Sequence, residues 1–199
     1  EFQSNLLEML REPLETGQVA VSRAAYKVIY PAQFQLVGAM NPCPCGYFGH
    51  SSGRCRCTLQ QRERYGRRLS GPFLDRIDLQ WELPSLSPSE LMEEVATESS
   101  HAVQQRVMAA QSRQWSRQGS NNNSLSGDDL MRFAPLSFSA RNLLIQATEG
   151  FQLSVRAVHR VWRVARTIAD LALQQDVGED AIAEALRYRG GLPSGMAPR

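Results

Sequence analysis

Four cysteines in two Cys-x-Cys pairs, Cys43-Pro-Cys45 and Cys55-Arg-Cys57, constrain this chain more than any other feature. A glycine- and serine-rich loop separates the pairs, so four sulfurs can meet without a large core. Four thiolates close a tetrahedral zinc site. The spacing is tighter than the usual Cys-x2-Cys of zinc ribbons, and His50 lies in the loop as a substitute ligand. Two other states stay open: reduced thiols without metal, and disulfides, which a cytosolic setting disfavours. A thioredoxin-like redox role is disfavoured, because that motif needs two intervening residues and Pro44 stands alone. A catalytic zinc would need an open position and a nearby base, for which the stretch gives no case.

The formal charge is only +2, so net charge by itself names no polyanionic partner. The kind of cation says more. Of 22 lysines and arginines, Lys27 is the sole lysine. Arginine makes planar, bidentate contacts to phosphate and carboxylate. A GC-rich genome gives the same bias, so placement has to decide. Arg54, Arg56, Arg62, Arg64, Arg67 and Arg68 cluster behind the cysteines, opposed only by Glu63. They form either a solvated helix face or a contact to phosphate or nucleic acid.

Apolar residues make up 42% of the 199, enough for a real core. No run is long and apolar enough for a transmembrane helix. The start, "EFQSNLLEML", has no signal-peptide pattern and no initiator Met, so a cytoplasmic fragment of a longer protein is expected. Residues 3–13 predict a short helix ending before Pro13. "GQVAVSRAAYKVIYP" alternates as a β-hairpin carrying Arg23 and Lys27 at its tip. "FQLVGAMN" (34–41) reads as a buried parallel strand ending at Asn41, and "IDLQWELP" (77–84) as another strand.

After Pro84 the composition turns helical. Ser87, Pro88 and Glu90 make an N-cap with its capping box. Residues 117–129 read as a polar loop. Helices follow at about 139–149, 154–174 and 179–188, with Gly150 and Gly178 at the breaks. Arg156, Arg160 and Arg163 share one face of the second of these helices, and Val158, Val161, Ala165 and Ile168 lie roughly opposite. A ladder of like charges one turn apart repels itself, which a polyanion or an acidic surface would offset. Arg76 stands between Asp75 and Asp78. It reads either as a local ion pair or as an arginine offered to a phosphate.

Taken together, "GAMNPCPCGYFG", "CRCT", "GPFLDRIDL" and "RVARTIADL" resemble the magnesium-chelatase-like AAA+ ATPases, in their competence-protein branch. The resemblance runs from Glu1 to about Arg189. It implies an α/β plus α fold: residues 1–84 as the C-terminal portion of an AAA+ α/β core with a Cys-rich insert, 85–190 as a helical lid domain, and 191–199 as a flexible tail. It implies Asn41 as sensor 1, Arg76 as the arginine finger and Arg156 as sensor 2, with Arg156 or Arg160 on the nucleotide.

In the same reading Arg23 and Lys27 would touch DNA, and Cys43, Cys45, Cys55 and Cys57 would hold a structural Zn2+. The longer protein would be a homo-hexamer that binds ATP with Mg2+ and drives translocation or branch migration on single-stranded or branched DNA, with no membrane partner. The P-loop and Walker B would lie upstream, so this piece alone is expected to be inactive. Two rivals remain: a metal-insertion ATPase subunit, and a zinc-stabilised nucleic-acid-binding module without ATPase activity. An upstream Gly-rich Lys-Ser/Thr loop separates the last from the others.

Overall fold

The computed structural model describes residues 4–23, 26–50, 52–92 and 97–189. The expected tail at 191–199 and the two residues at the hairpin tip lie outside the described residues. The described chain up to Ile77 belongs to one compact unit, and the chain from Asp78 to a second.

The first unit opens with two short helices, α1 (Ser4–Met9) and α2 (Arg11–Thr16). The sequence predicts one helix ending before Pro13. Instead the chain turns at Leu10, and Pro13 sits in the first turn of α2. A first-turn amide has no intrahelical acceptor, so proline's missing N–H costs nothing there. Gly17 ends α2 with φ 66°, a left-handed cap, and its N–H donates to the Pro13 carbonyl at 2.9 Å. The expected hairpin follows as β1 (Gln18–Arg23) and β2 (Tyr26–Pro31). They pair antiparallel, with Val21 opposite Val28 and Ser22 opposite Lys27.

The strands expected at 34–41 and 77–84 are not formed. A strand exists only through ladder hydrogen bonds to a neighbour. Among the described residues, the only two-stranded ladder is β1 with β2. Residues 34–40 therefore run without a partner, with Phe34 and Met40 nearly half exposed and Val37 at 84%. Downstream of the cysteines, α3 (Leu59–Gly66) starts at Thr58, whose side chain and that of Gln61 form a reciprocal capping box. A one-turn helix, α4 (Gly71–Leu74), is capped by Ser70 and buries Phe73.

The second unit is helical and holds the larger core. α5 (Pro88–Met92) begins as the sequence predicts, with Ser87 and Glu90 exchanging backbone bonds. α6 (Ser100–Gln118) is capped by Ser99. The stretch expected as loop contains a 3-10 turn (Asn122–Ser124) and the start of α7 (Gly127–Phe133), whose N-cap Ser126 forms a capping box with Asp129. Then come α8 (Phe138–Gly150), α9 (Val155–Leu171) and α10 (Glu179–Arg187). Val161, Ala165 and Ala169 repeat every four residues along α9 and meet Ala140, Leu144, Ala181, Ile182 and Ala185. The alanines let these helices approach closely, so the core is tight although its side chains are small.

Candidate functional site

The first cysteine pair of the knuckle sits on a turn. The Gly46 N–H closes back on the Cys43 carbonyl at 3.0 Å, and the Gly46 φ of 81° suits glycine alone. This turn brings Cys43 Sγ within 3.3 Å of Cys45 Sγ; Cys55 Sγ lies 3.8 Å from the first and 3.7 Å from the second. All four sulfurs lie within 4.8 Å of one another, and none is in a disulfide. Sulfurs at about 2.3 Å from a tetrahedral zinc stand about 3.8 Å apart, so the donor set fits the metal in both number and spacing. His50 is not a member: its Nδ1 accepts from the Ser52 N–H at 3.0 Å. Cys43 is fully buried and Cys45 is exposed.

The thiols differ in acidity. The Tyr47 backbone N–H, with the neighbouring thiols, lowers the Cys45 pKa to about 6. Cys57 would ionise beside Cys45 and out of full contact with water, and is pushed up to about 12. Adding a divalent cation removes that mutual repulsion, and metal uptake would release protons.

Asn41 stands two residues before Cys43, and its carboxamide lies against the Gly46 turn. Arg76 leaves α4 and lies against α2. Its Nε is 3.0 Å from Glu15 Oε2 and donates to the Arg11 carbonyl at 3.0 Å, while Nη1 donates to the Pro72 carbonyl at 2.7 Å. Its side chain is 12% exposed. Glu8 makes the second latch on this segment, accepting from the Ser70 hydroxyl and from Arg11 Nη1. The Ser70 bond, then Arg11, hold its carboxyl below the usual range. Sequence reading missed Glu8 and Glu15, because their partners lie some sixty residues away along the chain.

Arg23 and Lys27 are exposed on the two hairpin strands, and Tyr26 beside them is 79% exposed. On α9 the three arginines part company. Arg156 is exposed in the first turn, after the Ser154 cap. Arg160 pairs with Asp78 at 2.6 Å, and Arg163 Nε donates to the Leu125 carbonyl at 2.8 Å. The charge ladder is thus partly offset within its own unit.

A second set went unnoticed in the sequence. Asp170 and Arg166 are wholly buried one turn apart on α9. Asp170 also binds both Nη atoms of Arg117 from α6, at 2.6 and 3.0 Å, and Asn122 Nδ2 at 2.9 Å. Arg166 donates onward to the carbonyls of Gln174 and Gln175. The signal was available: an Arg and an Asp at i, i+4 interrupt the small-residue stripe of α9.

Comparison with known families defines the class first: the chain is of the magnesium-chelatase type. The chain belongs to the magnesium chelatase subunit ChlI family: that family's model matches residues 1–115, and the model of the ChlI C-terminal region matches 97–189. It is 44% identical over 190 residues to the uncharacterised protein YifB of Escherichia coli. It is 42% identical over 190 residues to competence protein ComM of Haemophilus influenzae. Each alignment covers 95% of this chain and 37% of the relative. An uncharacterised protein of Mycobacterium tuberculosis is 37% identical over 194 residues, 38% of its length. The chain thus spans well under half the length of these relatives.

Proposed function

We propose that this chain is the sensor and lid portion of an AAA+ ring ATPase that couples ATP hydrolysis, with Mg2+, to movement on DNA. The observation that carries the nucleotide part is Arg156. It occupies the first turn of a seventeen-residue helix whose first turn holds no acid. A cation there opposes the helix dipole, and the site favours an anion such as phosphate. Arg156 is exposed in that first turn whereas Arg160 lies half-buried beside Asp78, so the sensor 2 role is assigned to Arg156. Asn41 would orient water as sensor 1, and Arg76, released from Glu15, would stabilise the charge of ATP held by the next subunit of a homo-hexamer.

The DNA part rests on the hairpin, with Arg23, Tyr26 and Lys27 exposed together, and on the similarity to a competence protein. The knuckle would hold a structural zinc through Cys43, Cys45, Cys55 and Cys57, supplying rigidity to the segment between Asn41 and α3. The exposed apolar residues of the hairpin and of 34–40 support sheet neighbours supplied by the rest of a longer protein. In this reading residues 1–84 complete the core and 85–190 form the lid.

The test is ATP hydrolysis by the full-length protein with and without DNA. DNA should stimulate it, and Arg23→Ala with Lys27→Ala should remove the stimulation. The family description itself favours a second reading, metal insertion. Stimulation by a porphyrin-binding partner, with none by DNA, would select that one.

A further inference from the structure

We propose that the depression between the cysteine knuckle and α3 is a second nucleic-acid contact, taking the phosphate backbone of a single DNA strand. The inference rests on the DNA-directed reading above but on different residues. Gln61, Arg64 and Tyr65 fall at i, i+3 and i+4, so they share one face of α3, and Arg68, in the turn just past the helix end, extends that wall. That face lines a depression of about 400 Å³ whose other wall is Pro44, Cys45 and Cys57. No acid lines it. The one acid on α3, Glu63, is engaged with Arg67 at 3.8 Å.

The arginines of this segment divide by task. Arg62 is structural: its guanidinium stacks 4.3 Å above the Phe48 ring and pins α3 to the knuckle loop. Arg64, and Arg54 and Arg56 on the arm leading into Cys57, are exposed and have no ion-pair partner among the described residues. The face is also rigid. Cys57 precedes Thr58 directly, and the capping box there fixes the start of the helix against the knuckle. Arginines around a depression with no acid among its described lining residues suit a run of phosphates. Tyr65 in the wall, with the Arg68 guanidinium 5.6 Å from its ring centre, adds an aromatic surface of the kind on which unpaired bases stack. An open strip with an aromatic wall fits a strand better than a compact free polyphosphate. The competing role for Arg64 and Arg68 is to balance the thiolates of the knuckle.

The experiment measures binding of an oligothymidylate strand to the full-length protein across a salt series. Three variants are compared: Arg64→Gln with Arg68→Gln, Arg54→Gln with Arg56→Gln, and Arg23→Ala with Lys27→Ala. Zinc content is measured on each. Losing two phosphate contacts lowers the slope of log K against log salt by about 1.4 for a single strand. Both Gln pairs should show that loss with zinc content unchanged. The exposed Arg54/Arg56 pair keeps the test valid should the helix pair misfold. A flattened slope in the hairpin variant alone overturns this site and leaves the DNA reading standing. Unchanged slopes in all three overturn both. Zinc loss in the Arg64/Arg68 variant, with its slope and that of the Arg54/Arg56 variant unchanged, assigns the helix arginines to the thiolates and overturns the proposal.

Discussion

Asp170→Ala removes the centre of the buried ion network, and its cost can be worked from the contacts. The Asp170 carboxylate accepts four hydrogen bonds, from Arg117 twice, Arg166 and Asn122, with no exposure to water. Alanine leaves the Arg166 guanidinium equally buried, still holding the Gln174 and Gln175 carbonyls but without a countercharge. Removing one partner of a buried pair costs about 3–5 kcal/mol. A unit of this size has a stability of about 5–15 kcal/mol, so the loss is a large share of the total. With a urea dependence of about 2 kcal/mol per molar, the unfolding midpoint should fall by about 2 M. Replacing both partners, Asp170→Leu with Arg166→Met, should cost less, because the only charge left without its carboxylate is that of Arg117, whose side chain is 23% exposed and keeps contact with water.

Urea unfolding followed by circular dichroism measures all three proteins. A cost below about 1 kcal/mol for Asp170→Ala, or a double variant as damaged as the single, would refute the reasoning. Burial alone would raise the Asp170 carboxyl pKa. The bonds from Arg117 and Asn122 and the charge of Arg166 outweigh it and hold the carboxyl below its ordinary value. Its stabilisation is therefore present above the ordinary carboxylate pKa of about 4 and is lost as pH falls through the depressed folded value. Asp170→Asn should accordingly flatten the acid limb of stability against pH.

Chelation or Cys45→Ser should loosen the first unit, whose buried apolar side chains are few, while leaving the helical unit's melting intact; two transitions by calorimetry, with only one shifted, are expected. Leu173 ends α9 in the left-handed region at φ 59°, and its side chain is 64% exposed. Leu173→Gly should raise stability in urea by about 0.5 kcal/mol, the relief of left-handed strain less the entropy glycine adds to the unfolded chain.

What was legible in the sequence was local. The hairpin alternates, and Ser87 with Glu90, and Gly178, mark element ends through bonds within four residues. The cysteine cluster was legible because sulfur chemistry leaves few alternatives. The strands expected at 34–41 and 77–84 were not formed, because apolar composition gives a strand its side chains but not its neighbour. Arg76 was read as a local ion pair or a phosphate contact, and its pairing with Glu15 was not legible, since Glu15 reaches it only through the fold. The start of α7 within 117–129 was hidden by its own cap. Ser, Asn and Gly read as loop until Ser126 is seen holding Asp129.

The central claim is that arginines of this chain act on nucleotide bound by a neighbouring subunit. It is tested most directly by Arg76→Ala in the full-length assembled protein, measuring ATP hydrolysis and ATP binding side by side, with melting as the control for the lost Glu15 latch. Hydrolysis should fall by about 10³-fold or more with ATP binding nearly kept, and the fall in melting should be no more than the loss of the Glu15 latch explains. Hydrolysis at the wild-type rate, or binding lost in proportion to it, would contradict the account.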